Sequence, residues 1–209
     1  MGSGANEIGK ELARKLGIDY VDREILAEVA KGLGQQEQRI EAKEMPAGTL
    51  KEKIYEALRY NPPPGTGAGS VEIPSAMYLP TWETPLDDPS YLDKLISVIK
   101  KIAASGPIVI QGRGSQFILK NYPGAFHIFV VAPLQERISR VMNSQKLDDK
   151  AARQAINRYD SSRREFIKRF FRTDLEDPTH YDLVINTEHI DYENAVTIIL
   201  DTLSLKSRT

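Results

Sequence analysis

Apolar positions along the chain switch between a helical and a strand-like spacing. Over residues 7–16, Ile8, Leu12 and Leu16 recur every fourth position, which predicts a helix with one buried stripe. Gly17 stops it, and Ile18-Asp19-Tyr20-Val21 predicts a short strand. A second helix is expected over 23–31, with Ile25, Leu26, Val29 and Ala30 inward. Residues 35–59 are polar and helical in part, with a break at Met45-Pro46-Ala47-Gly48. Leu92, Leu95, Ile96, Ile99 and Ile102 form another helical stripe, which ends at Ser105-Gly106. Ile108-Val109-Ile110 and Ile128-Phe129-Val130-Val131 are continuous apolar runs with a short helix between them. Such runs suit strands covered on both faces of a parallel sheet. Helices over 136–143 and 151–171, a strand at Leu183-Val184-Ile185 and a closing helix over 193–203 complete the pattern. Strands that alternate with helices, with no internal repeat, predict an α/β domain with a mainly parallel sheet.

The segment 61–90 breaks this rhythm. It holds seven of the 12 prolines, together with Gly65, Gly67 and Gly69. Proline blocks helix and removes ladder donors, so an irregular excursion is expected here, either a lid or a mobile surface loop. The whole of 35–90 reads as an insert within a single domain of 209 residues.

Composition narrows the classes. Lys plus Arg is 28 against 29 for Asp plus Glu, which argues against a general nucleic-acid binder. With no cysteine there is no disulfide framework, no thiolate nucleophile and no Cys-ligated zinc. The three histidines, His127, His180 and His189, lack metal-ligand spacing. No apolar run approaches the ~20 residues of a bilayer span, and the first residues are not a signal-peptide core. A cytoplasmic protein that binds no membrane and no nucleic acid is the expectation.

Four places carry candidate chemistry. Gly2-Ser3-Gly4-Ala5-Asn6 runs straight into a helix, where backbone amides and the helix dipole favour an anion. By itself this fits a cloning remnant or a flexible tail as well as a phosphate loop. The string from Gly4 to Lys10 also spells GxxxxGK, but Glu11 follows where Ser or Thr would hold Mg²⁺, and Lys10 reads as a solvated helix lysine. Gly112-Arg113-Gly114 follows the strand at 108–110. A guanidinium at the carboxyl end of a parallel strand suits phosphate or carboxylate, or simply closes the strand end. Asp22-Arg23 follows another strand, where Asp22 fits a site or a helix N-cap. On the helix over 151–171, Ile156, Tyr159, Phe166, Ile167, Phe170 and Phe171 share one arc, and Arg158, Arg169 and Arg172 point away. Asp160 and Arg163 fall inside that arc, three residues apart, where they can pair with each other or meet a ligand. Arg164 lies at its edge.

In this order the segments GSGANEIGKELARKLGIDYVDREIL, SGPIVIQGRGSQFILKNYPGAFHIFVVAPLQERISRVM, RYDSSRREF and YDLVINT resemble the cytidylate-kinase-like family of P-loop nucleoside-monophosphate kinases. The middle block is the most specific, and 35–90 matches poorly, where the family has its acceptor-binding insert. The resemblance implies a P-loop three-layer fold, with five parallel strands between helices, and ATP-dependent transfer of phosphate to a nucleoside monophosphate with Mg²⁺. It places Gly2, Ser3, Gly4, Ala5 and Asn6 on the phosphate loop. Asp22, Arg23 and Arg113 fall at the acceptor, and Asp160, Arg163 and Arg164 in the lid. Arg113, Arg163 and Arg164 would carry catalysis, since phosphoryl transfer needs mainly positioning and positive charge.

Three departures qualify what the resemblance implies. The phosphate-loop lysine is replaced by Ala5 and the Mg²⁺-hydroxyl position by Glu7. The aspartate that follows the Gly-Arg pair is Gly114. The strand that should precede the loop is missing, so the natural chain is expected to begin several residues upstream of Met1. Besides the kinase, a nucleotide-binding module without turnover and a kinase of a non-nucleotide small acid fit these residues.

Overall fold

Two left-handed glycines bracket the first helix, α1 (Ala5–Leu16). Gly4 starts it at φ 85°, and Gly17 ends it at φ 66° with its amide turned back to the carbonyls of Ala13 and Arg14. The computed structural model describes residues 1–22 and 89–206. The helices expected over 23–31 and 35–59 lie outside the described residues. So does the insert expected over 35–90, apart from residues 89 and 90, which open a helix. The chain divides into two compact units, one of residues 1–17 with 119–209 and one of residues 18–118.

In the unit of residues 18–118, β1 (Asp19–Val21) pairs in parallel with β2 (Ile108–Ile110), Tyr20 opposite Val109. Helix α2 (Pro89–Ala104) buries Tyr91, Leu95, Val98, Ile99 and Ile102. Leu95, Ile99 and Ile102 belong to the expected stripe, while Leu92 and Ile96 are half-buried at its edge. The four-residue helix α3 (Ser115–Ile118) closes the unit.

The other unit holds α1, β3 (Ile128–Val131), α4 (Leu134–Gln145), α5 (Asp149–Phe171), a 3-10 turn (Pro178–His180), β4 (Leu183–Asn186) and α6 (Tyr192–Lys206). β3 and β4 run parallel, with Ile128 opposite Leu183 and Val131 opposite Asn186. Ile138 and Val141 of α4 interlock with Ala152 and Ile156 of α5, and Met1, Met142 and Leu147 pack around them. Ile8 and Leu12 of α1 are buried, as are Ala195, Val196 and Ile199 of the neighbouring α6. Leu16, expected in the α1 stripe, is 42% exposed on the last turn, where no further turn covers it.

The architecture is therefore α/β with parallel strands, as the pattern predicts. The strands are less covered than their apolar runs suggest: every residue of β2 and β3 is half-buried, and Val184 of β4 is exposed. Each sheet is two strands wide among the described residues, which leaves every strand one open edge. No helix among the described residues is long and apolar enough to cross a membrane.

Candidate functional site

The glycine turn at the start of the chain is held by side chains from far along it. Gly2 and Gly4 both lie in the left-handed region, at φ 78° and 85°. A methyl group on Gly2 would come 2.7 Å from the Arg137 carbonyl oxygen, and one on Gly4 would run into the Tyr192 ring. Glycine is thus required twice over, by conformation and by close approach.

Arg137 and Arg140 sit three apart on α4, so both reach the same side of that helix. The Arg137 Nε–H donates to the Met1 carbonyl at 2.7 Å, and its Nη2 group donates to both carboxylate oxygens of Asp160 at 2.8 and 2.9 Å. Arg140 donates to the Thr187 hydroxyl at 2.8 Å and the Thr187 carbonyl at 2.6 Å, with a longer approach of 3.4 Å to the Gly2 carbonyl. Its guanidinium also lies 5.5 Å over the Tyr192 ring. Thr187 follows β4 and is buried. Its hydroxyl accepts from Arg140, and its single proton goes to the nearer of two carbonyls, Ser3 at 2.9 Å rather than Val131 at 3.3 Å.

No described residue competes for the amides of the turn. Helix α1 has no side-chain cap, and no described residue accepts from the backbone N–H of Gly2, Ser3 or Gly4. Asn6 and Glu7 are exposed on the first helical turn, and Lys10 is exposed one turn further on.

Helix α5 behaves as its arc predicts for packing and differently for charge. Ile156, Phe166 and Ile167 are buried, while Arg158, Arg169 and Arg172 point away from that core. Asp160 does not pair with Arg163, however. The Arg137 Nη2 group on α4 reaches both of its oxygens instead. Arg163 is half-buried, with its guanidinium 5.6 Å over the Tyr159 ring, and no described carboxylate pairs with it. Arg164 is half-exposed and held by Glu176 at 2.6 Å, a hydrogen bond that raises its pKa.

In the unit of residues 18–118, Gly112, Arg113 and Gly114 are all left-handed, at φ 84°, 54° and 72°. For arginine that conformation costs about 1–2 kcal/mol. The turn leads into α3 through hydrogen bonds from the amides of Ser115 to Gly112 O and of Phe117 and Ile118 to Gly114 O. The Tyr20 hydroxyl donates to the Gln111 side chain, and the Gln111 amide to Val21 O, so the carboxyl ends of β1 and β2 are joined beside Asp22. Arg23 lies outside the described residues. No cluster of three metal-ligating side chains occurs among the described residues.

Arg137, Arg140, Thr187 and Tyr192 are absent from the sequence-derived candidates. Two arginines at i and i+3 after β3, and a threonine directly after β4, were the signals available.

A family model described as the cytidylate kinase-like family matches residues 1–189. A cytidylate kinase of Saccharolobus islandicus is 31% identical over 120 residues, 56% of this chain and 62% of that protein. A stretch of 104 residues, 50% of this chain, is 33% identical to a uronate isomerase of Corynebacterium glutamicum but covers only 20% of it. The chain thus spans less than two thirds of either relative. A solved structure of an uncharacterised protein from Eubacterium ventriosum shares the fold, with a TM-score of 0.66 at 20% identity over 97% of this chain and 92% of that one. With the family model matched over nearly the whole chain, this protein belongs to the cytidylate kinase-like family.

Proposed function

We propose that the chain is an ATP-dependent phosphotransferase whose acceptor is a nucleoside monophosphate. The observation that carries this reading is the start of α1. An uncapped helix N-terminus, opened by two left-handed glycines, presents backbone amides that no described residue accepts from. Such an array suits a polyphosphate, because amide dipoles and the helix macrodipole add at the same point. The reading carries with it a P-loop three-layer fold with five strands and a cytoplasmic setting.

In this reading Gly2, Ser3, Gly4, Ala5 and Asn6 hold the ATP phosphates. Arg113, with Asp22 and Arg23, binds the acceptor. Arg163 and Arg164 neutralise charge on the transferring phosphoryl group, with Asp160 beside them. Arg163, resting on an aromatic ring, has its charge available for a ligand, whereas Arg164 must first leave Glu176. Mg²⁺ would neutralise phosphate charge when bound. The exposed carboxylate of Glu7 offers it one hard oxygen, and phosphate oxygens and water would supply the rest.

A second reading is favoured by two residues. Ala5 stands where the phosphate-loop lysine is expected, and Glu7 would repel a phosphate unless Mg²⁺ lay between them. A nucleotide-binding module without turnover fits both. Calorimetry with ATP and Mg²⁺, alongside an ADP-release assay over a panel of monophosphates and small acids, separates the readings. Turnover of a nucleoside monophosphate supports the kinase, and ATP binding without turnover of any acceptor supports the module. Turnover confined to a non-nucleotide acid overturns the choice of acceptor.

A further inference from the structure

Three successive carbonyls of the glycine turn each accept from a different side chain: Met1 O from Arg137, Gly2 O from Arg140 and Ser3 O from Thr187. A trans peptide sets its C=O and the following N–H on opposite sides, and the chain has no cis bond among the described residues. Fixing these carbonyls therefore turns the amides of Gly2, Ser3 and Gly4 away from Arg137, Arg140 and Thr187. Amides aligned in this way, between residues of alternating hand, form an anion-binding concavity.

We propose that Arg137, Arg140 and Thr187 are positioning residues: by holding the carbonyls of Met1, Gly2 and Ser3, they aim the amides of Gly2–Gly4 at a polyphosphate. The inference rests on the phosphate-binding reading of the turn, and it assigns roles to side chains outside the expected phosphate loop. The two arginines work from behind the turn, and the charge of Arg137 is matched by Asp160. Their contribution is orientation of the amides rather than contact with the ligand. Thr187 is the keystone. It is 1% exposed, and its hydroxyl joins Arg140 to Ser3 O.

Thr187→Val keeps the shape and removes the hydroxyl, while Thr187→Ser keeps the hydroxyl. Amide exchange of Gly2–Gly4 is measured by NMR, with affinity for inorganic tripolyphosphate and for ATP measured alongside. In Thr187→Val the loop amides should shift and exchange faster, and tripolyphosphate affinity should fall about tenfold, the weight of one well-made hydrogen bond. Acceptor KM should not move, and Thr187→Ser should recover both losses. Unchanged loop amides in a folded Thr187→Val overturn the inference, as does equal loss in Val and Ser, which would signal packing alone. If Thr187→Val fails to fold, Arg140→Met takes its place, with the same measurements and the same outcomes for and against. Loop amides that depend on Thr187 in a wild type that binds neither polyphosphate would uphold the clamp and overturn the phosphate-binding reading instead.

Discussion

The turns Gly2-Ser3-Gly4 and Gly112-Arg113-Gly114 share a spelling and both lead into a helix, yet they are built by opposite means. The second is local. Among the described residues its backbone hydrogen bonds run to amides three to four positions on, and its arginine is part of the turn, held left-handed between two glycines. The first is held from a distance. Arg137 and Thr187 lie 136 and 184 residues from the carbonyls they bind, and an aromatic ring of α6 fills the space where a Cβ would stand on Gly4. In one turn, charge is carried on the backbone excursion itself. In the other, side chains from far along the chain hold the backbone carbonyls of Met1, Gly2 and Ser3. Mutations should therefore act through packing at the first turn and through one guanidinium at the second.

The largest effect is expected at Gly4. Gly4→Ala must adopt a left-handed φ and displace Tyr192, for a combined loss of about 2–4 kcal/mol in urea unfolding. Gly124 supplies the contrast: its φ is 78°, but beyond its chain neighbours no atom of a described residue lies within 4 Å of the place a Cβ would take. Gly124→Ala should lose only about 1 kcal/mol. Equal losses at the two sites would show that Tyr192 does not matter.

Next in size is the bridge from α4 to α5. Arg137→Ala and Asp160→Asn should each destabilise by about 1–3 kcal/mol, since each leaves a largely buried partner short of hydrogen bonds. A double-mutant cycle should return a coupling of about 1–2 kcal/mol. Additive losses would mean that the two side chains act independently.

At the second turn stability and binding should part company. Arg113→Gly should be as stable as wild type or more so by up to about 1 kcal/mol, because the left-handed strain is relieved. Both Arg113→Gly and Arg113→Ala should weaken acceptor binding more than ATP binding. Equal loss of both ligands with an intact fold would remove Arg113 from the acceptor site.

The smallest expected effect is a pH dependence at the 3-10 turn that precedes β4. Hydrogen bonds from the Thr179 hydroxyl and amide hold the Asp177 carboxyl below its ordinary value of 3.8. Because the folded pKa is depressed, its contribution is complete above that ordinary value and is lost as pH falls through the folded one. Asp177→Ala should therefore melt slightly below wild type at pH 7, and the gap should narrow below pH 3.8. A gap that stays constant with pH would assign the loss to the turn geometry alone.

The two turns also mark how far the sequence could be read. Helices and parallel strands followed from periodicity, and the buried arc of α5 was correct residue by residue for Ile156, Phe166 and Ile167. Arg113 was visible because the two glycines that flank it in its left-handed turn are adjacent in the sequence. Asp160 was seen as needing a partner, but spacing offered only Arg163, since the Nη2 group of Arg137 becomes available only after α4 and α5 have packed. Arg140, Thr187 and Tyr192 escaped for the same reason: each acts on residues more than 130 positions away, and no local pattern encodes that distance.

The most direct test follows the amide signals of Gly2, Ser3 and Gly4 in an NMR titration with ATP and Mg²⁺, with adenosine as control. A phosphate-binding turn requires these three signals to move and saturate with ATP and to stay still with adenosine. If they stay still while ATP binds, or if no signal in the protein responds to ATP, the turn is not a phosphate site.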